Sequence, residues 1–488
     1  MFIKHRGLGE CMGAHHLLFL LCFTSAFDHG LATGVFKVYR KFSSRVHRIA
    51  DLRAHDARRH GRILSGAVDI PIGGLGLPTD TGLYYAQLGI GTPPKTYYVQ
   101  VDTGSDLLWV NCINCNHCPR KSNLGIQLTL YDPKGSSSGS LVSCDESFCS
   151  STHGGDIQGC VHDVPCPYSV LYGDGSSTAG YFVTDYLQYN QVSGDHVTTA
   201  ANASVTFGCG ARQSGDLGSS SEAVDGILGF GQSNSSILSQ LASAGKVRKI
   251  FAHCLDTKKG GGIFAIGNVV QPKVNTTPLV PDMPHYNVIL KSIQVGRSFL
   301  KLPTYIFDSG DKKGTIIDSG TTLAYLPEEP FKQLMNAIFS NQPGLSFHNI
   351  QDFLCFKFSG SIDDAFPTVT FHFENSTVLP VYPHDYFFAN GDKMWCTGFQ
   401  NSALQSKDGQ DMILLGDLVL SNKLVIYDLE NQVIGWTDYN CSSSIKIQGK
   451  SGAAYSVDAH NVSSAVRSII GRLLAFLMTT YLLFSLFQ

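Results

Sequence analysis

Two short runs carry residue types able to do chemistry: Asp102-Thr103-Gly104-Ser105 and Asp318-Ser319-Gly320-Thr321. Each Asp closes a β-branched or aromatic stretch, "TYYVQVD" and "GTIID", that reads as a buried strand. An ionised carboxylate there is costly unless paired or hydrogen-bonded. Either copy alone is equally well read as a solvated turn, because Asp, Thr and Gly are turn residues. Two copies change the reading. Two carboxylates brought to about 3 Å cannot both ionise easily, so they share one proton. The ionised member then takes a proton from a water between them. The protonated member donates to a carbonyl oxygen as the water attacks. Such chemistry needs no metal and no other cofactor.

The neighbours have physical roles. Gly104 and Gly320 permit close backbone approach. Ser105 and Thr321 can hydrogen-bond the outer carboxylate oxygens, and Thr103 and Ser319 can tie one loop to the other. A second pair of runs follows the same order: "AVDGILGFG" (223–231) and "DMILLGDLVL" (411–420), each with two apolar residues before Gly229 or Gly416. Each half therefore holds an Asp loop and, later, an apolar-apolar-Gly strand. This is a duplicated lobe, with the boundary near 275–284.

Between the first Asp loop and its apolar-apolar-Gly strand lies "VLYGDGSSTAGYFVTD" (170–185). In isolation it reads as a hairpin turn. Together, these motifs resemble the pepsin family of aspartic endopeptidases, over about Tyr84 to Cys441. The resemblance implies an all-β, bilobal pepsin-like acid protease fold with a few short helices. It implies Asp102 and Asp318 as the catalytic pair and a protein or peptide as substrate. It makes Tyr172, Gly173 and Asp174 part of a flap over the cleft, with Trp109 as the hydrogen-bonding partner of Tyr172. Asp174 has two readings: selection of Lys or Arg near the cut, or stabilisation of the turn. The alternative function is a catalytically inert binding protein, since plant xylanase inhibitors and some seed globulins resemble this fold with a broken dyad. Here both Asp, both following hydroxyl residues, both glycines and the flap tyrosine are present.

The sequence also resembles the plant nepenthesin-like subgroup. Cys112, Cys115, Cys118, Cys144, Cys149, Cys160 and Cys166 match its cysteine-rich insertion, and "FGCG" with Cys209 and "FAHCL" with Cys254 recur there. The saposin-like insertion of vacuolar relatives is missing, because only 98 residues separate Asp318 from Gly416. The spacing of Cys112, Cys115 and Cys118 beside His117 also fits zinc, but twelve cysteines outside the leader, an even number, favour disulfides in a secreted chain. Nine fall in the first lobe and three (Cys355, Cys396, Cys441) in the second. If all pair internally, at least one bridge joins the lobes. The resemblance implies Cys355–Cys396 within the second lobe, and Cys441 reaching back to the first, to Cys209.

Other elements position and deliver this unit. The chain has 488 residues, 43% hydrophobic and 15% charged, with 50 glycines and a net charge of −3. Near-neutrality leaves no footprint for nucleic acid, and a monomer is expected. Lys4 and Arg6 before "LLFLLCFTSAF" and Thr24-Ser25-Ala26 read as a signal peptide over 1–26. Residues 28–65 carry nine Lys/Arg against three Asp. They read as a basic amphipathic helix in a removable propeptide (27–75), and the Gly/Pro-rich run 65–82 reads as a linker. The N-terminal lobe is expected over 76–280 and the C-terminal lobe over 281–445. "EEPFKQLMNAIFSN" (328–341) is the best helix. Over 446–488, a linker leads to the small residues 461–465 and an uncharged tail (473–488). That order reads as a glycolipid-anchor signal, with a single membrane span as the alternative. Sequons at Asn202, Asn234, Asn275, Asn375, Asn440 and Asn461 agree with secretion. The expected location is the extracellular face of the plasma membrane.

Overall fold

In the strand Lys95–Asp102, Tyr97, Val99 and Val101 alternate inward. Each buried apolar side chain contributes about 1.5–3 kcal/mol, and the pattern carries Asp102 to the strand's buried end. Gly226–Gly229 lies beside it in parallel, with Gly229 level with Asp102, and runs antiparallel to Leu108–Asn116 on its other side. The second half repeats this. Gly314–Ile317 is parallel to Met412–Leu415, which runs antiparallel to Ala324–Leu326. The apolar-apolar-Gly motif is thus the strand wedged between the entry and exit strands of each Asp loop. This structure, a computed structural model, describes residues 66–79, 82–310, 313–402, 411–449 and 452–462.

The fold is mostly β and bilobal, with short helices. A shared sheet joins the halves. Its strands run in the order Asn275–Pro278, Val433–Asp438, Lys423–Asp428, Ile250–Leu255, Gly262–Ile266 and Val68–Asp69. One hydrophobic core spans both lobes. The expected helix is present at Glu328–Phe339, burying Leu334, Met335 and Ile338. Glu328 and Glu329 in its first turn complement the helix dipole.

Two segments expected as linkers are instead built into the body. Val68–Asp69 pairs with Gly262–Ile266 and with Ser177–Gly194, and Ile72–Leu75 pairs with Leu83–Ile90. Beyond Cys441, Ile445–Gln448 pairs with Ala454–Val457 and with Val269–Gln271. Glycine-rich composition masked these strands, and Val68–Asp69 and Ile445–Gln448 also pair with strands far away in sequence. The leader, the basic helix, the tail 473–488 and most of the small-residue run 461–465 lie outside the described residues. Of the sequon asparagines, five are exposed and Asn461 is half-buried; Asn461 Nδ2 donates to the Lys259 carbonyl at 2.5 Å.

The two ends of the described chain meet. His460 Nε2 sits 2.8–2.9 Å from both carboxylate oxygens of buried Asp69, while its backbone exchanges hydrogen bonds with Gly262. The Asp69 hydrogen bond raises the His460 pKa above the usual value. A raised histidine pKa gives stability that is full below the unfolded value, about 6.5, and is lost as pH rises through the folded value. His460→Ala is therefore expected to cost about 1–2 kcal/mol near pH 5 and less at alkaline pH. Denaturant unfolding at the two pH values measures this; equal losses would assign the contribution to packing alone.

The disulfides are Cys112–Cys209, Cys115–Cys118, Cys144–Cys160, Cys149–Cys166, Cys254–Cys441 and Cys355–Cys396. Cys355–Cys396 agrees with the resemblance, and one bridge joins the halves as the odd counts require. The partner of Cys441 is corrected from Cys209 to Cys254. Cys209 lies opposite Val110 in a parallel pairing, which brings it to Cys112. Cys254 lies in the shared sheet opposite Leu424, whose other neighbour, Val433–Asp438, leads toward Cys441.

Candidate active site

Each Asp loop is closed by its own hydrogen bonds. Gly104 N donates to Asp102 Oδ1 at 2.8 Å, and Ser105 Oγ donates to Asp102 Oδ2. In the second loop Gly320 N donates to Asp318 Oδ1 at 2.8 Å, and Thr321 Oγ1 to Asp318 Oδ2 at 2.7 Å. The two loops are copies in hydrogen bonding as well as in sequence.

They also face each other. A Cβ on Gly104 would stand 2.7 Å from both carboxylate oxygens of Asp318, and one on Gly320 would overlap Asp102 Oδ1. Each glycine thus makes room for the opposite carboxylate. Ser319 N donates to Thr103 Oγ1 at 2.8 Å, tying loop to loop. The tie is one-sided, since Ser319 Oγ has no partner among the described residues.

Both carboxyls are buried. Burial, followed by the nearby Asp318 carboxylate, pushes Asp102 up to about 7. Burial and mutual repulsion therefore favour a pair that holds one shared proton over a doubly ionised pair. At pH values well above 7 the pair loses its proton donor.

The flap is the hairpin of Pro167–Leu171 and Ser177–Gly194. Its turn places Gly175 at φ +83°, a left-handed conformation suited to glycine. Trp109 Nε1 donates to the Tyr172 hydroxyl at 2.7 Å. Gly173 is exposed, with open space around it. Asp174 Oδ1 accepts from Ser176 N at 2.9 Å and Ser176 Oγ at 2.7 Å, which is the turn-stabilising geometry.

Sequence reasoning missed Asp417. It follows Gly416, is 2% exposed, and its backbone N donates to the Thr321 carbonyl at 2.7 Å. Burial, then Asp318 and Asp102, raises its pKa well above the carboxylate range. Burial thus favours its neutral form. The available signal was a charge in the apolar run "LLGDLVL", where the first copy has Phe230.

Two facing Asp loops, each bounded by a wedged strand, form a duplicated carboxylate pair, and the chain belongs to the pepsin-like plant aspartic proteinases. Residues 84–268 match the family model described as xylanase inhibitor N-terminal, and residues 285–438 match that described as xylanase inhibitor C-terminal. The chain is 50% identical to Aspartic proteinase 36 of Arabidopsis thaliana over 446 residues, covering 91% of this chain and 92% of the relative. It is 48% identical to Aspartic proteinase 39 of the same plant, over 92% and 93% of the two chains. A solved structure titled edgp superposes with a TM-score of 0.62 at 19% identity, covering 77% of this chain and 95% of that one. That likeness concerns the fold.

Proposed function

We propose that this protein is an endopeptidase that hydrolyses peptide bonds in acid through water activated by Asp102 and Asp318. The observation that carries the reading is the mutual facing of the loops: each glycine admits the other loop's carboxylate. Water between the carboxylates gives a proton to the ionised member and attacks the scissile carbonyl carbon. The protonated member gives its proton to the carbonyl oxygen, and a tetrahedral diol forms. Its collapse breaks the C–N bond as the amine takes a proton back from the pair. The two relatives at about half identity, both named aspartic proteinases, support the reading. Proteomic cleavage profiling near pH 4 tests it and maps side-chain preference. Pepstatin-sensitive cuts are the expected result; no cuts at any acidic pH would favour the inert binding protein suggested by the xylanase-inhibitor description.

The cysteine-rich insertion supports a nepenthesin-like subgroup. The basic composition of segment 28–65, against an acidic remainder of the chain, supports an inhibitory propeptide that acid loosens. Because residues 67–72 are largely buried in the sheet, removal is expected to stop before Gly66. N-terminal sequencing of acid-treated protein checks this, and a start near residue 76 would contradict it. The small residues at 461–465 and the uncharged tail support a monomer held by a lipid on the outer membrane face. Phosphatidylinositol-specific phospholipase C is then expected to release it from cells. Retention with residues 473–488 still attached would favour a spanning helix.

A further inference from the structure

We propose that Tyr286 is a positioning residue: its hydroxyl crosses between the lobes to hold the turn that grips Asp102, while its backbone holds the strand that enters the Asp318 loop. The inference rests on the dyad reading above, but its geometry is independent of it. Tyr286 precedes the strand Asn287–Val288, which pairs with Gly314–Ile317. Asn287 lies opposite Ile316, so Tyr286 falls opposite Ile317, the residue before Asp318. Ile317 N donates to the Tyr286 carbonyl at 3.1 Å.

The side chain reaches the other half. Tyr286 Oη donates to the Phe230 carbonyl at 2.6 Å. Phe230 follows Gly229, the end of the wedged strand of the first half. Phe230 N donates to the Asp102 carbonyl at 2.7 Å, and Gly231 N to the Ser105 carbonyl at 2.8 Å. Residues 230 and 231 thus grip both ends of the first Asp loop, and the phenol grips residue 230. Two other hydrogen bonds cross between the loops, Ser319 N to Thr103 Oγ1 at 2.8 Å and Gln100 Nε2 to the Gly320 carbonyl at 3.4 Å. Neither holds the Asp102 backbone.

The phenol is fixed by its surroundings. Tyr286 and Phe230 are fully buried. The Tyr286 ring meets Tyr427 edge-on with centroids 4.6 Å apart and lies 6.1 Å from Phe251, which packs on Phe230 at 4.9 Å. Burial raises the phenol pKa well above its usual value, so the hydroxyl remains a donor at every working pH. The ionisable groups around it are Tyr427 and Asp106, and neither is a cation. A buried carbonyl deprived of its donor is costly. Without the hydroxyl the Phe230 peptide turns, and the Asp102 carbonyl loses a fixed partner.

The duplication supplies a control. Tyr85 lies opposite Gln100, so Tyr84 falls opposite Val101, the residue before Asp102. Tyr84 is therefore the counterpart of Tyr286. It is buried too, but its hydroxyl has no hydrogen-bond partner among the described residues. A phenol occupies the same place in both halves, and the one at 286 makes the bridge.

The test follows the two dyad carboxyls by ¹³C NMR titration in the whole protein, alongside kcat and KM per pepstatin-titrated site. Tyr286→Phe deletes one oxygen and keeps the ring. With the bridge gone the first loop shifts from its partner, and the carboxyls repel less. The upper apparent pKa of the pair is expected to fall by at least about half a unit, and kcat by about tenfold, with KM nearly unchanged. Tyr286→4-aminophenylalanine, which returns an N–H to the place of the hydroxyl, is expected to restore both. Tyr84→Phe is expected to titrate and turn over as wild type. A Tyr286→Phe titration that superimposes on wild type, or a Tyr84→Phe shift of equal size, would overturn the inference, whatever happens to Tm. The NMR arm reads the bridge even in a protein that cleaves nothing, so failure of the protease reading is separately visible as a wild type without turnover.

Discussion

Asp102→Asn and Asp318→Asn variants are expected to fold and to lose peptidase activity by at least about a thousandfold. An amide keeps the shape but removes a shareable proton site. At position 102 it removes the carboxyl whose pKa burial and Asp318 push up to about 7. At position 318 it removes the other carboxylate of the pair. The substitutions also carry a stability signature. An Asp with a folded pKa raised from about 3.9 gives stability that is full below that value and is lost as pH rises through about 7. Wild type therefore bears the cost of the buried pair at neutral pH, and Asp102→Asn escapes it. Relative to wild type, the Tm of Asp102→Asn is expected to rise steadily between about pH 4 and pH 7. Thermal unfolding across that range checks the sign. A constant difference would mean that Asp102 does not hold a raised pKa.

Gly320→Ala is the second large effect. The added methyl would overlap Asp102 Oδ1 and stand 3.1 Å from Asp318 Oδ1. Neither carboxylate can yield freely: Asp102 is held by Gly104 N and Ser105, and Asp318 by Gly320 N and Thr321. The loops must part, and a displacement of about 1 Å costs on the order of a hundredfold in rate. Gly104→Ala meets the opposite carboxylate in the same way and is expected to behave alike. The checks are kcat/KM and pepstatin affinity, which are expected to fall together while the circular dichroism of the shared sheet is kept. Activity within a few-fold of wild type would show that the loops do not face each other this closely.

The site was legible because its signal is local. Asp102, Asp318 and their three following residues are contiguous, and the structure gives each side chain but that of Ser319 the partner that its type suggests. The flap tyrosine was legible from its place between two motifs, and Trp109 followed through the resemblance. What stayed hidden depends on pairing across long sequence distances. Val68–Asp69 has strand partners 121 or more residues away, and Ile445–Gln448 pairs with distant Val269–Gln271 and otherwise only with another hidden strand, so composition suggested linkers. Cys441 was given the wrong partner because parity fixes only that a bridge crosses the halves; backbone register places Cys209 beside Cys112. Asp417 and Tyr286 sit beside short strands, and single polar residues there carry no motif.

The most direct test is turnover of an internally quenched peptide by purified, acid-treated protein at about pH 4, titrated with pepstatin. The account predicts cleavage that falls linearly to zero at one equivalent of pepstatin per protein and fades as pH rises through about 7. Absence of cleavage, or cleavage that pepstatin leaves untouched, would contradict it.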